Sequence, residues 1–247
     1  MEEAIEKVQD LADGGDKITS EQYITYFSIR YYGTYTGVLY QKFVAALQDH
    51  ITEVILPSLE GKDNVPLLMT TTDMWAKYQI LAYWLLRFFE PLRPFCSTTK
   101  GTDISDVPYN LFCDWVFDRM WSRLRGVVLR MIFRQRTGKA VNLDMIKAGV
   151  DLFVEVDHKG KRYYYRNFEQ VLLSDIDLRY SKLANKWLLT CSFHGYLNKA
   201  LNCISFEERR MGHYLPRNTM ATVVEAMRYE LIDKRIKTVV ELLFRDG

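Results

Sequence analysis

The residues from which a metal site or a nucleophile would be built are the four histidines, His50, His158, His194 and His213, and the four cysteines, Cys96, Cys113, Cys191 and Cys203. A zinc site needs three or four ligands. The nearest His–Cys pair, Cys191 and His194, has no third partner at ligand spacing. No Ser or Cys stands in a nucleophile-elbow sequence. "RTGKA" (136–140) carries Gly-Lys but lacks the preceding glycine and the following Ser or Thr of a phosphate loop. The adjacent carboxylates of "FEERR", Glu207 and Glu208, point to different helix faces and read as a solvated or ion-pairing surface. Cys113 and Cys203 fall on apolar helix faces and read as small buried hydrophobes. No catalytic residue, metal ligand set or cofactor is expected, and the chain reads as a non-enzyme.

Two surfaces remain. "RMWSRLRGVVLRMIFRQRTGK" brings Arg119, Arg123, Arg130 and Arg134 close to one stripe. Nucleic-acid binding needs basic residues gathered on one face, but the formal charge of the whole chain is only +2. A solvated helix face is the default, and a nucleic-acid-binding or tethering module is the alternative. The second surface is aromatic. "YITYFSIRYYGTY" sets Tyr23, Phe27 and Tyr31 four residues apart, with Tyr26, Arg30 and Tyr35 nearby. "DMWAKYQILAYWLLRFFEPLRPF" (73–95) has the same character. Aromatic residues with arginine anchor protein interfaces, although aromatics are also well buried on average. In this second segment Trp75, Tyr78, Ala82, Leu85 and Phe89 are expected to face inward. Trp84, Arg87 and Phe88 are expected to face outward, beside Tyr23, Phe27 and Tyr31. Pro91 should end or kink the helix near Arg87–Glu90.

The elements that would hold these surfaces are helical almost throughout. At 48% apolar and 26% charged residues the chain is globular in composition. "EEAIEKVQDLADGG" and "SEQYITYFSIRYYGTY" are amphipathic. "GVLYQKFVAALQDHITEVILPSLEG" places Leu39, Phe43, Leu47 and Ile51 four apart. Thr72 is expected to cap the Asp73–Phe95 helix. "CSTTKGTDISDVP" (96–108) reads as a linker, dividing the chain at about 1–105 and 106–247. Beyond it, Cys113, Val116, Met120, Leu124, Val127 and Met131 follow steps of three and four, Gly138 stops that helix, and Asn142 caps the next. "KRYYYRNF" could be a lone strand. Three further helices follow. Short connections suit antiparallel bundles, so the fold class is all-α in two units. The apolar ending "IKTVVELLFRDG" reads as a truncated array. Widely spaced cysteines indicate a reducing compartment. The acidic N-terminus is no secretory signal, and no apolar run suffices to span a membrane.

Four stretches, "MWAKYQILAYWLLRFFEPL", "LRMIFRQRTGKAVNLDMIKAGVDLFVEV", "YYYRNFEQVLLSDIDLRYSKLANKWL" and "YLNKALNCISFEERRMGHYL", resemble in order and spacing the N-terminal repeats of the cullin family, most closely the SCF ubiquitin-ligase type. The resemblance implies an elongated array of five-helix cullin repeats. Repeat 1 would occupy 1–105, and 106–247 would hold repeat 2 and the start of a third. It implies a non-catalytic scaffold in ubiquitin-dependent degradation, in the cytoplasm or nucleus, that binds an SCF-type adaptor with its F-box substrate receptor. A RING subunit, nucleic acid and membrane are not expected as partners. Carried over residue by residue, the adaptor contacts fall on Tyr23, Ile24, Phe27 and Tyr31 and on Trp84, Arg87, Phe88 and Pro91. Phe27 and Pro91 replace usual tyrosines and Leu201 a usual glutamate, so weakened adaptor binding is expected.

Overall fold

The computed structural model describes residues 5–7, 10, 19, 36–157 and 164–245. Among the described residues every regular element is a helix. The chain divides into two compact units, Met1–Val127 and Val128–Gly247, with the boundary along the sequence inside the helix Asp118–Arg136.

In the first unit, helix α1 (Thr36–His50) runs into a π turn, Ile51–Ile55. Leu39, Phe43, Leu47 and Ile51 are all buried, as their spacing predicts. Helix α2 (Asn64–Phe88) begins earlier than the sequence reading. Thr72 lies inside it, its hydroxyl donating back to the carbonyls of Leu68 and Met69 at 3.1 and 2.9 Å. Leu67, Leu68 and Thr71 already face the core, so packing extends the helix upstream of the polar "TTTD". Its start is strained: Asn64 has φ 54°, a left-handed conformation that asparagine tolerates better than most residues. Pro66 falls in the first turn, where no intrahelical N–H is lost.

The stretch 96–108 is packed rather than a linker. Cys96, Ile104, Val107 and Pro108 are buried. Its polar residues close a turn: Asp103 accepts from Arg93 at 2.7 and 2.9 Å and from the Ser105 amide at 2.9 Å. Helix α3 (Asp106–Phe112) follows, and then α4 (Asp118–Arg136).

In the second unit, Gly138 at φ 78° stops α4. Asn142 caps α5 (Leu143–Val156) by accepting from the Met145 amide at 3.1 Å, as read from the sequence. From Tyr164 onward the suspected strand is helical: a π turn, Tyr164–Glu169, leads into α6 (Gln170–Thr190). Phe168 is fully buried and meets Phe153 edge-on at 5.6 Å, a contact made across elements that local alternation cannot reveal. Helices α7 (Phe193–Met211) and α8 (Arg217–Leu231) pack with α6, and α9 (Ile236–Arg245) follows. The buried Tyr196 hydroxyl donates to the Leu231 carbonyl at 2.6 Å, tying α7 to the end of α8.

A charged cluster sits inside this unit. The Arg136 side chain is 0% exposed; Nη1 donates to Asp175 at 3.1 Å, and Nε lies 3.6 Å from Glu207. Glu207 also pairs with Arg210. Arg179 donates to the Arg136 carbonyl at 3.2 Å and Arg210 to the Gln135 carbonyl at 3.4 Å. Glu207 is therefore buried rather than part of a surface, while Glu208 is exposed. Adjacent residues do separate onto different faces, but Glu207 faces a guanidinium from a distant helix.

Arg136→Met should destabilise the chain by about 3–5 kcal/mol, because two carboxylates lose a buried partner; urea unfolding followed by circular dichroism measures this. Burial pushes the Tyr214 hydroxyl up from 10.0 to about 12. Between these values the unfolded chain releases the proton and the folded chain keeps it, so stability should fall as pH rises from 10 to 12. Tyr214→Phe should lose about 1 kcal/mol at neutral pH, since the hydroxyl donates to Gln135. It should also flatten the alkaline decline in a series of urea melts.

Candidate protein-interaction site

Helix α2 carries its core along one line. Leu67, Thr71, Met74, Tyr78, Leu81, Leu85 and Phe88 alternate steps of four and three, and all are buried. Trp75, Ala82 and Phe89 lie beside that line and are buried too. The inward face expected from the sequence is thus present. It is held by an aromatic cluster: Trp75 stands 4.6 Å and Tyr78 5.3 Å from Phe112. The Tyr78 hydroxyl donates to the Pro108 carbonyl at 3.0 Å. Burial, with the Cys113 thiol adding to it, drives the Tyr78 hydroxyl far above its ordinary range.

The outward face differs from expectation at one residue. Phe88 is only 7% exposed, because it continues the Leu81 line by one heptad. Trp84 is half-buried and Arg87 exposed. They are brought together by Tyr83, which is 52% exposed and which the sequence reading missed. Arg87 Nη1 donates to the Tyr83 hydroxyl at 2.6 Å, and the Trp84 ring meets Tyr83 edge-on at 5.4 Å. The signal was available: Tyr83 falls four residues before Arg87, on the side opposite the buried line.

Pro91 is exposed in a 3₁₀ turn, Glu90–Leu92. The helix ends before it at Phe88, with the Phe89 amide donating to the Leu85 carbonyl at 2.9 Å. Proline therefore costs no interior hydrogen bond and simply marks the stop. Tyr23, Ile24, Phe27 and Tyr31 lie outside the described residues. Next to the Tyr83 ring, a groove of about 260 Å³ is lined by residues including Trp75, Gln79, Leu86, Pro108 and Tyr109.

The basic stripe is less open than its spacing suggests. Arg123 donates to the Lys62 carbonyl and pairs with Asp63 at 2.6 Å. Among the described residues no three His, Cys, Asp or Glu side chains gather to hold a metal, and no helix is long and apolar enough to cross a membrane.

A family model described as the cullin alpha solenoid domain matches residues 1–245. The chain belongs to the cullin family. Rice (Oryza sativa subsp. japonica) Cullin-1 is 28% identical to it, over 98% of this chain and 34% of the relative. Putative cullin-like protein 2 of Arabidopsis thaliana is 28% identical over 80% of this chain and 54% of its own length. Cullin-like protein 3 of the same plant is 27% identical over 78% of this chain and 76% of its own. This cullin chain thus spans about a third of the rice relative's length, and its helices are those of the cullin alpha solenoid.

Burial distinguishes the two aromatic neighbours on α2. Phe88→Ala should cost about 3–5 kcal/mol of stability, as for other buried phenylalanines. Tyr83→Ala should stay within about 1 kcal/mol of wild type. Parallel chemical denaturation of the two variants makes the comparison.

Proposed function

We propose that this cullin chain is a non-catalytic scaffold segment that holds an SCF-type adaptor, with its F-box substrate receptor, for ubiquitin-dependent degradation in the cytoplasm or nucleus. The observation that carries the reading is the cullin match across residues 1–245. The cluster of exposed Tyr83 and Arg87 with half-buried Trp84 supports it, since arginine and aromatic side chains with mixed polar and apolar surface are favoured interface anchors. In this reading Trp84 and Arg87 touch the adaptor, together with Tyr23, Ile24, Phe27 and Tyr31. Phe88 supports the helix end from inside, and Pro91 limits the contact face because α2 has already ended. The nucleic-acid alternative is weakened by the engagement of Arg123 with Asp63.

Titration calorimetry against an SCF-type adaptor tests the proposal. Tyr23→Ala and Trp84→Ala should each weaken binding by about 1–3 kcal/mol. Pro91→Tyr should strengthen it by restoring the aromatic contact. Equal affinities among variants that remain folded by circular dichroism, or no binding by wild type, would overturn the assignment.

A further inference from the structure

The four cysteines, none of them in a disulfide, occupy unlike surroundings. Cys96 and Cys113 are buried in the first unit. Burial pushes the thiols of Cys96 and of the half-buried Cys203 up. Cys191 stands apart, at the corner where α6 gives way to α7. Its backbone is extended, and its amide donates to the Trp187 carbonyl at 2.9 Å, closing α6. The next residue, Ser192, is the N-cap of α7.

Two turns into α7, Lys199 reaches back and brings Nζ to 3.1 Å from the Cys191 sulfur. The Thr190 hydroxyl lies 3.7 Å from the same sulfur. Gly195 packs close to this corner: a Cβ there would stand 3.2 Å from the Ser192 hydroxyl and in ordinary contact, 3.6 Å, with the Cys191 Cβ. Cys191 is 9% exposed, while the two groups that contact its sulfur, Thr190 and Lys199, belong to exposed residues. A neutral thiol is a weak acceptor, whereas a thiolate matches an ammonium at hydrogen-bond distance. The position just ahead of a helix N-terminus also favours negative charge. The bond from Lys199 pulls the thiol below its ordinary value against desolvation, with Thr190 assisting.

We propose that Cys191 and Lys199 form a thiolate–ammonium pair that is a site of covalent modification by peroxides and small electrophiles. With hydrogen peroxide, the sulfur attacks one peroxide oxygen, an S–O bond forms and the O–O bond breaks. The sulfur is oxidised by two electrons to a sulfenic acid. The departing hydroxide takes a proton from the Lys199 ammonium and becomes water, and Lys199 recovers its proton from solvent. With iodoacetamide, an S–C bond forms as iodide leaves.

The test uses the full folded chain, iodoacetamide as the probe, and peptide mass spectrometry to follow each cysteine. Cys191 should alkylate at pH 7 about tenfold faster than Cys96, Cys113 or Cys203. Lys199→Met should remove most of that advantage and move the midpoint of the rate–pH profile upward, whereas Lys199→Arg should retain it. Brief hydrogen peroxide followed by dimedone should label Cys191 first, and Cys191→Ser should abolish that label. The comparison among the four wild-type thiols needs no variant. Alkylation of Cys191 no faster than Cys203, an unchanged profile in Lys199→Met, or dimedone labelling elsewhere first would each overturn the proposal.

Discussion

The carbonyls of Gln135 and Arg136 end helix α4 with no partner inside the helix, as the last carbonyls of any helix do. Here they accept from Arg210 and Arg179, which come from two different helices. Cationic groups suit that end of the helix dipole. The Arg136 guanidinium adds a further positive charge that is entirely out of water, and Asp175 and Glu207 balance it. Such a buried cluster stabilises less than its contacts suggest, because each ion loses its hydration. Its stronger effect is on register. A one-residue slip of α7 would take Glu207 away from Arg136, so the pairing favours a single register among α4, α6 and α7. The second unit depends on that meeting point.

Among the described residues, the ion pairs of the first unit lie at its surface instead. Its main constraint is the strict alternation of four- and three-residue steps along α2, which sends one line of side chains into the core. The opposite line then has no freedom: Met69, Ile80, Tyr83 and Arg87 lie outward because the other positions are taken. The same periodicity that stabilises the helix therefore chooses which aromatic a partner would meet.

Much of this could be read from the residues. Four-residue spacing correctly buried Leu39, Phe43, Leu47 and Ile51, and the chemistry of Asn142 and Gly138 marked a helix start and a helix stop. The misreadings have physical causes. Thr72 has the side chain of a cap, but the apolar contacts of Leu67 and Leu68 outweigh a local preference. The polar stretch 96–108 looked like a linker because its few apolar residues, Cys96, Ile104 and Val107, are spread among polar ones with no helical or alternating period to signal their burial. Glu207 was read as surface because its partner Arg136 is remote along the chain, and no local pattern encodes such a pairing. At the candidate site, counting aromatics overstated the outer face at Phe88 and passed over Tyr83; following the heptad line corrects both.

The bond between Arg87 and the Tyr83 hydroxyl has a further meaning. A free arginine on a helix surface samples many rotamers, and fixing one on binding costs about 0.5–1.5 kcal/mol. The Arg87 guanidinium is already held against a ring on its own helix, with its carbon 5.5 Å from the ring centre. Much of that entropy is given up when the chain folds, where cooperative packing absorbs it. A partner docking at this end of α2, as proposed, would meet a guanidinium already placed against a ring, and would lose less side-chain entropy on binding.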